Sequence, residues 1–313
     1  MIDVLLTAIA YSSGLALAAA GITIIYMSTG TFNFAHASFT AWGFYVVFSL
    51  FSLMKGSPYY YMILGGLFGG VLGIATYYIV NRWLLRAGAD MVTLMMSTLG
   101  VDLVLFAAIN IFADYLTYTY HINPRLFVLS SYDFKLGSLY GIPVSGIVLV
   151  SIIIVVIIIA ILQLFLTRTK MGIAMRATIE NAMLATVLGI NPELIYVLSW
   201  FLGGFLGGLG GAILSLLFTG TPNIGMLLIV PEFAASIVGG LYSVFGSLLG
   251  GFLIGISQKV GIALLGKWLG GWIIVYEPLI PLLIMAVTLL IYPKGLGGLP
   301  WGKIYKRLFK GGE

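Results

Sequence analysis

Residues 145–166 read SGIVLVSIIIVVIIIAILQLFL. The stretch carries no charged side chain and supplies the roughly 20 apolar residues that a helix needs to cross a bilayer. Its polarity does not alternate, so it is not a barrel strand, which would show segments of about ten residues with period two. Lipid offers no partners to backbone N–H and C=O groups, and a helix satisfies them within the segment. The rest of the chain extends the same pattern. Of 313 residues 61% are hydrophobic and 8% charged, with a mean hydropathy of +1.12, far outside the range of water-soluble domains. The composition therefore predicts an all-α polytopic membrane protein.

The same composition closes off several functions. With no cysteine there is neither a disulfide nor a thiolate, and two histidines leave little for a metal site, so no cofactor is expected. The net charge of +5 does not point to nucleic acid, because the basic residues gather at segment ends. Gly261 to Lys267 and Gly297 to Lys303 both fit G-x-x-x-x-G-K, but Trp268 and Ile304 follow where a phosphate loop needs Ser or Thr. ATP hydrolysis is not expected in this chain. The opening MIDVLLTAIAYSSG lacks a basic flank and reads as the start of a span rather than a cleaved signal.

About eight hydrophobic segments are expected within a single transmembrane domain, 1–313. They are Leu5 to Met27, Ser38 to Met54, Tyr61 to Val80, Met91 to Phe112, Gly141 to Leu166, Glu193 to Phe218, a broken or re-entrant segment over 232–266, and Trp272 to Tyr292. Gly203, Gly207 and Gly211, with Gly204 and Gly208, make Gly-rich faces on which helix backbones can touch. Ala113 to Tyr140, rich in Tyr and Phe, reads as an external loop with an aromatic belt. Pro222 to Pro231 reads as a brief outer turn. If 232–266 dips in, turns at Tyr242 to Gly246 and returns, ten Lys and Arg fall inside, in 81–90, 167–191 and the tail 294–313, and five outside. A single crossing would put the basic tail outside, so the charge distribution favours the broken segment, with the amino terminus outside and the carboxyl terminus cytoplasmic.

Polar groups inside the spans mark candidate sites. The stretch STGTFNFAHA, with Gly30, Asn33 and His36, interrupts apolar sequence at 28–38, and Gly239 and Gly240 interrupt it again later. Interrupted spans in corresponding halves are a sequence pointer to a substrate path, so Asn33, His36, Gly239 and Gly240 are candidates. Asp102, near the middle of a span, joins them, because a carboxyl group in lipid is expensive unless it faces a cavity or a partner. As a structural group it would be protonated or hydrogen-bonded in helix packing. Glu232 and Glu277 lie near expected span ends, where solvation is easy, and read as structural.

The longest polar interruption is TRTKMGIAMRATIENAMLATVLGIN, Thr167 to Asn191. With Thr178 as N-cap and Gly189 as stop, Ile179, Met183 and Val187 line one face of a short amphipathic helix, widened by Leu184 and Leu188. Arg176 and Glu180 flank it. Such a helix can lie at the lipid headgroups or offer its stripe to a cytoplasmic partner.

Gly21 to Tyr45, GITIIYMSTGTFNFAHASFTAWGFY, resembles the signature of the branched-chain amino acid ABC permeases, in which N-F-A-H-G precedes a small-residue helix, with Ala37 here in place of the usual glycine. GIAMRATIENAMLATVLGIN resembles that family's cytoplasmic coupling segment, Glu232 to Gly255 its later glycine-rich block, and YPKGLGG its usual end. The resemblance runs over most of the chain. It implies a permease subunit in a prokaryotic inner membrane, with a second permease subunit, two cytoplasmic ATP-binding subunits and an extracytoplasmic substrate-binding protein as partners. It also gives the 176–189 segment, through Arg176, Ile179, Glu180, Met183, Val187 and Gly189, the role of ATPase coupling. The contrasting expectation is an ion-coupled secondary transporter, with Asp102 or Glu277 carrying a proton.

Overall fold

The computed structural model describes residues 1–139 and 142–299. Eight of its helical stretches are long and apolar enough to cross a membrane. In chain order the helices are α1 (Ile2–Thr29), α2 (His36–Met54), α3 (Met62–Thr76), α4 (Arg82–Arg86), α5 (Met91–Tyr120), α6 (Gly146–Arg168), α7 (Lys170–Glu180), α8 (Ala182–Val187), α9 (Pro192–Leu214), α10 (Ile224–Gly239), α11 (Val244–Leu269) and α12 (Leu279–Ile291). A π-helical turn, Tyr77–Asn81, joins α3 to α4, and a two-stranded antiparallel hairpin, β1 (Lys135–Leu139) and β2 (Ile142–Ser145), precedes α6.

The centre is built from small residues. α1 is buried almost continuously from Ala8 to Ile25, because α9 and α11 lie antiparallel against it through Gly21 and Gly203, Gly14 and Gly210, and Ala16 and Gly251. α3 crosses α9 just as closely. A Cβ on Gly69 would stand 2.3 Å from the Gly204 carbonyl oxygen, one on Gly43 of α2 2.0 Å from that of Gly208, and one on Gly211 1.9 Å from that of Thr40. Lipid gives helices no hydrophobic reason to associate, so backbone approach and dense packing hold this centre together.

Two expected boundaries move. Pro222 to Pro231 is not a turn: α10 starts at Ile224 and carries Pro231 within it, since neighbouring helices make a proline tolerable in a membrane helix. The broken segment consequently begins eight residues earlier than 232. At 16 residues α10 is about 24 Å long, and the break falls at Gly240 to Ser243, where Gly240 has φ +100. Tyr242 in this turn packs on Tyr26 near the end of α1, and a Cβ on Gly240 would meet the Lys294 carbonyl oxygen at 2.7 Å. Lys294 therefore stands at the end of the bundle opposite Met1. The tail cations Lys303, Lys306, Arg307 and Lys310 lie outside the described residues.

The expected external loop also shortens. α5 continues to Tyr120 and the span after it starts at Gly146, leaving a cap between them that contains the hairpin. Phe127 plugs the cap onto the bundle, stacked on Phe48 at 3.7 Å between centroids and bridged through its backbone to Gly220, while the Tyr45 hydroxyl donates to the Pro124 carbonyl at 2.8 Å.

Candidate functional site

The break between α1 and α2 is shaped by α5. Gly30 ends α1 in the left-handed region, φ +66, returning its N–H to the Tyr26 carbonyl. One turn along α5, Thr98 accepts a hydrogen bond from the Phe34 N–H at 3.1 Å, and Asp102 accepts one from the Ser38 hydroxyl at 2.6 Å. From the other side, the Thr31 hydroxyl donates to Asn81 at the end of the π-helical turn, at 3.2 Å. The irregular backbone is thus fastened inside protein, the condition under which a membrane tolerates it.

Asn33 and His36 lie in this break and Asp102 is tied to its end through Ser38, and all three are buried. Their circumstances differ. Asp102 is partnered by Ser38, whereas no polar side-chain atom of Asn33 or His36 forms a well-shaped hydrogen bond. The His36 ring lies between α1 and α9, where a Cβ on Gly21 or on Gly207 would come within 2.8 Å of it. Phe32 and Phe34, on either side of Asn33, face instead a groove of about 360 Å³ lined also by Met95, Phe233, Ile237 and Met285. Gly239 and Gly240 are not part of this cluster. Gly239 packs against Ser247 and Gly246, and Gly240 forms the turn beyond α10.

Glu232 is the residue whose place the sequence reading mistook. With α10 starting at Ile224 it sits mid-helix, fully buried, with neither carboxyl oxygen in a well-shaped hydrogen bond. The Thr40 hydroxyl is the group that faces it, likewise buried and with no well-shaped bond to anything else among the described residues. The available signal was the apolar run Ile224 to Val230, which is helical in pattern up to a proline that does not end it. Glu277, by contrast, accepts from Lys259 at 2.7 Å and from Gln258 at 3.1 Å.

At the opposite end of the molecule from the hairpin, Arg82 and Arg86 of α4 both pair with Glu193 in the first turn of α9, at 2.6 Å each. The connector from α6 to α9 lies at this end and departs from expectation in one respect. Thr178 is not a cap: it is buried inside α7 and its hydroxyl returns to the Ala174 carbonyl. The helix breaks three residues later, where the Asn181 side chain accepts from the Leu184 N–H at 2.9 Å and caps α8. Thr and Asn are both good caps, and only the packing of Thr178 decides between them. Ile179 is consequently tucked against the core, while Arg176 and Glu180 are exposed. Met183 is 81% exposed and Val187 79%, with Leu184 and Leu188 beside them. Gly189, φ +82, ends the segment.

A bundle of eight long apolar helices, with polar groups sealed around a broken helix and a bare apolar connector at one end, defines a multi-pass membrane transport protein. Residues 4–292 match the family described as the branched-chain amino acid transport system permease component. The chain belongs to that family. It is 38% identical over 301 residues, 96% of this chain and 93% of the relative, to the probable branched-chain amino acid transport permease protein LivH of Methanocaldococcus jannaschii. It is 25% identical, over 95% of each chain, to the high-affinity branched-chain amino acid transport system permease protein BraD of Pseudomonas aeruginosa. Among solved structures, PsaBC from Streptococcus pneumoniae in complex with Fab has a similar fold, with a TM-score of 0.51, 15% identity, and coverage of 96% of this chain and 94% of that one.

Proposed function

We propose that this chain is the translocating subunit of an ABC importer for branched-chain or similar hydrophobic amino acids. It acts beside a second permease subunit, two cytoplasmic ATP-binding subunits that hydrolyse the ATP, and an extracytoplasmic binding protein. The observation that carries the reading is the exposed stripe of α8. Met183, Leu184, Val187 and Leu188 form a compact apolar surface on a segment capped at Asn181 and stopped at Gly189, and such a surface marks an interaction site. In this reading α8 seats in an ATP-binding subunit, with Arg176 and Glu180 at the rim of the contact. The charge distribution supports a cytoplasmic position for this end in a prokaryotic inner membrane, with the amino terminus outside. Substrate enters past the hairpin cap and passes the break that carries Asn33 and His36 and is fastened by Asp102. Gly239 and Gly240 form the inner end of the path. Movement of α8 couples to this path provided its contacts differ between the nucleotide-bound and nucleotide-free states.

The test is Met183→Glu. A charge buried in a protein contact costs several kcal/mol, whereas at a lipid headgroup it reaches water. The variant is expected to fold in the membrane, lose the ATP-binding subunits on mild purification and stop uptake. Uptake by the unaltered protein is expected to survive an ionophore at constant ATP. Uptake that persists in Met183→Glu and follows the proton gradient would overturn the assignment.

A further inference from the structure

Glu232 and Thr40 face each other with no cation or amide among the described residues beside them to complete the pair. The carboxyl group projects from the middle of α10 and the hydroxyl from α2, one turn beyond His36, and both are fully buried. Beyond facing each other, neither has a well-shaped hydrogen bond to any other group among the described residues of the chain. Asp102, Glu193 and Glu277, by contrast, are satisfied within the chain. A buried carboxyl group that faces a single hydroxyl is expensive, and in a membrane bundle such a group marks a functional site whose remaining partner comes from elsewhere.

The two groups match one chemistry. An ionised carboxylate offers acceptors only, a hydroxyl oxygen accepts as well, and a primary ammonium is a group of three donors with no acceptor. The next residue along α10, Phe233, stands about 100° round the helix and lines the apolar groove with Phe32 and Phe34. Acceptors for an ammonium and an apolar surface for a side chain thus occupy adjacent positions of one helix. That helix is equipped to turn. Pro231 has no N–H to give the Leu227 carbonyl, which weakens α10 immediately before Glu232, and Gly240 leaves its far end at φ +100.

We propose that Glu232 and Thr40 form the subsite for the α-ammonium group of the transported amino acid, reached when α10 turns about Pro231, while the groove at Phe233 receives its aliphatic side chain. The assignment rests on the importer reading above, and it names the substrate as one that must carry a free cationic amine.

The experiment uses the complete complex, with its ATP-binding subunits and binding protein, in proteoliposomes with radiolabelled leucine. Glu232→Gln, nearly isosteric, is expected to lower uptake at least tenfold with the ATP-binding subunits still attached, and Glu232→Asp to restore part of it. Uptake by Glu232→Gln within twofold of the unaltered complex overturns the assignment. A structural role alone would lower uptake too, so the second arm uses the native residue. Glu232 is coupled to an amine by a water-soluble carbodiimide and the adduct mapped by mass spectrometry. Modification that requires ATP and is suppressed by leucine supports the subsite. Modification absent in every state, or indifferent to leucine, overturns it. An unaltered complex that assembles and hydrolyses ATP but moves no aliphatic amino acid overturns the importer's substrate reading first, and this assignment with it.

Discussion

The centre of the bundle and the connector at its end are both apolar, yet they use that character in opposite ways. On the packed face of α9 side chains are absent: Gly203, Gly204, Gly208 and Gly211 let α1, α2 and α3 approach until backbones touch. On α8 the side chains are large, and Met183 and Val187 are bare. The first region has nothing left to offer a partner. The second has almost nothing to offer its own chain beyond Ala185, the one buried residue of α8. Stability and coupling are therefore housed in separate residues, and substitutions should move one without the other.

The largest effect is expected at the centre. Gly211→Leu drives a side chain into the Thr40 carbonyl, 1.9 Å from the new Cβ, with backbone on both sides of the clash and no flexible end to give way. Overpacking in a dense core costs on the order of 3 kcal/mol or more, and the variant is expected to be missing from the monodisperse peak of detergent-solubilised protein. Gly100→Leu is the matched control, since nothing lies within 4 Å of its Cβ, and its thermal midpoint should stay within the roughly 0.5 kcal/mol of an ordinary surface change. If the two glycines behaved alike, the contrast between centre and periphery would collapse.

Next in size is Asp102→Leu. It removes the shorter of the two acceptors of the Ser38 hydroxyl, the carboxylate at 2.6 Å, and leaves it the Asp102 backbone carbonyl at 3.2 Å, at a cost of about 1.5 kcal/mol. Asp102→Asn keeps an oxygen in place and should recover most of the thermal midpoint. Equal losses in both variants would mean that Asp102 is needed as a charge rather than as an acceptor.

These two sites also show what can be read from a sequence of this kind. The glycines of α9 recur at four-residue spacing, and helical periodicity converts that spacing directly into a face. The break at Gly30 to His36 is legible because polar residues interrupt an apolar run. Neither rule reaches across the chain. That Thr98 and Asp102 hold Phe34 and Ser38 is a contact over 64 residues, and it depends on how α5 leans on α2. Glu232 escaped for a related reason: a proline ends a helix in water more readily than in a packed membrane bundle, and the depth of a carboxyl group follows from where its helix starts. The cap of α8 was misplaced by three residues because Thr178 and Asn181 have the same local chemistry, and burial alone separates them.

That cap provides a smaller test, on the connector side of the comparison. Asn181→Ala removes the acceptor for the Leu184 N–H, worth about 1 kcal/mol to a helix start. In a segment packed so lightly on the bundle, the loss should appear as fraying of α8. Amide exchange at 182–187 is expected to speed up and attachment of the ATP-binding subunits to weaken, while the thermal midpoint of the bundle stays put. A lowered midpoint would show that α8 supports the fold after all, and would undo the separation of stability from coupling.

The smallest expected effect is at Asp90, in the loop between α4 and α5. Its carboxylate caps α5, accepting from the Thr93 N–H at 3.2 Å and from the Thr93 hydroxyl, and these donors hold it below the ordinary value of 3.8. A group lowered on folding stabilises the folded state above its unfolded value, and that contribution fades as the pH falls through the folded one. Asp90→Ala should therefore differ from the unaltered protein at neutral pH and converge with it as the solution is acidified past 3.8. Asp90→Asn, which keeps an acceptor but cannot titrate, should hold its midpoint relative to Asp90→Ala across the whole range. Because Asp90 is fully exposed, salt should shrink the ionic part of the difference and leave the hydrogen-bonded part. A difference between Asp90→Ala and the unaltered protein that ignores both pH and salt would assign the effect to the backbone at the start of α5 rather than to the carboxylate.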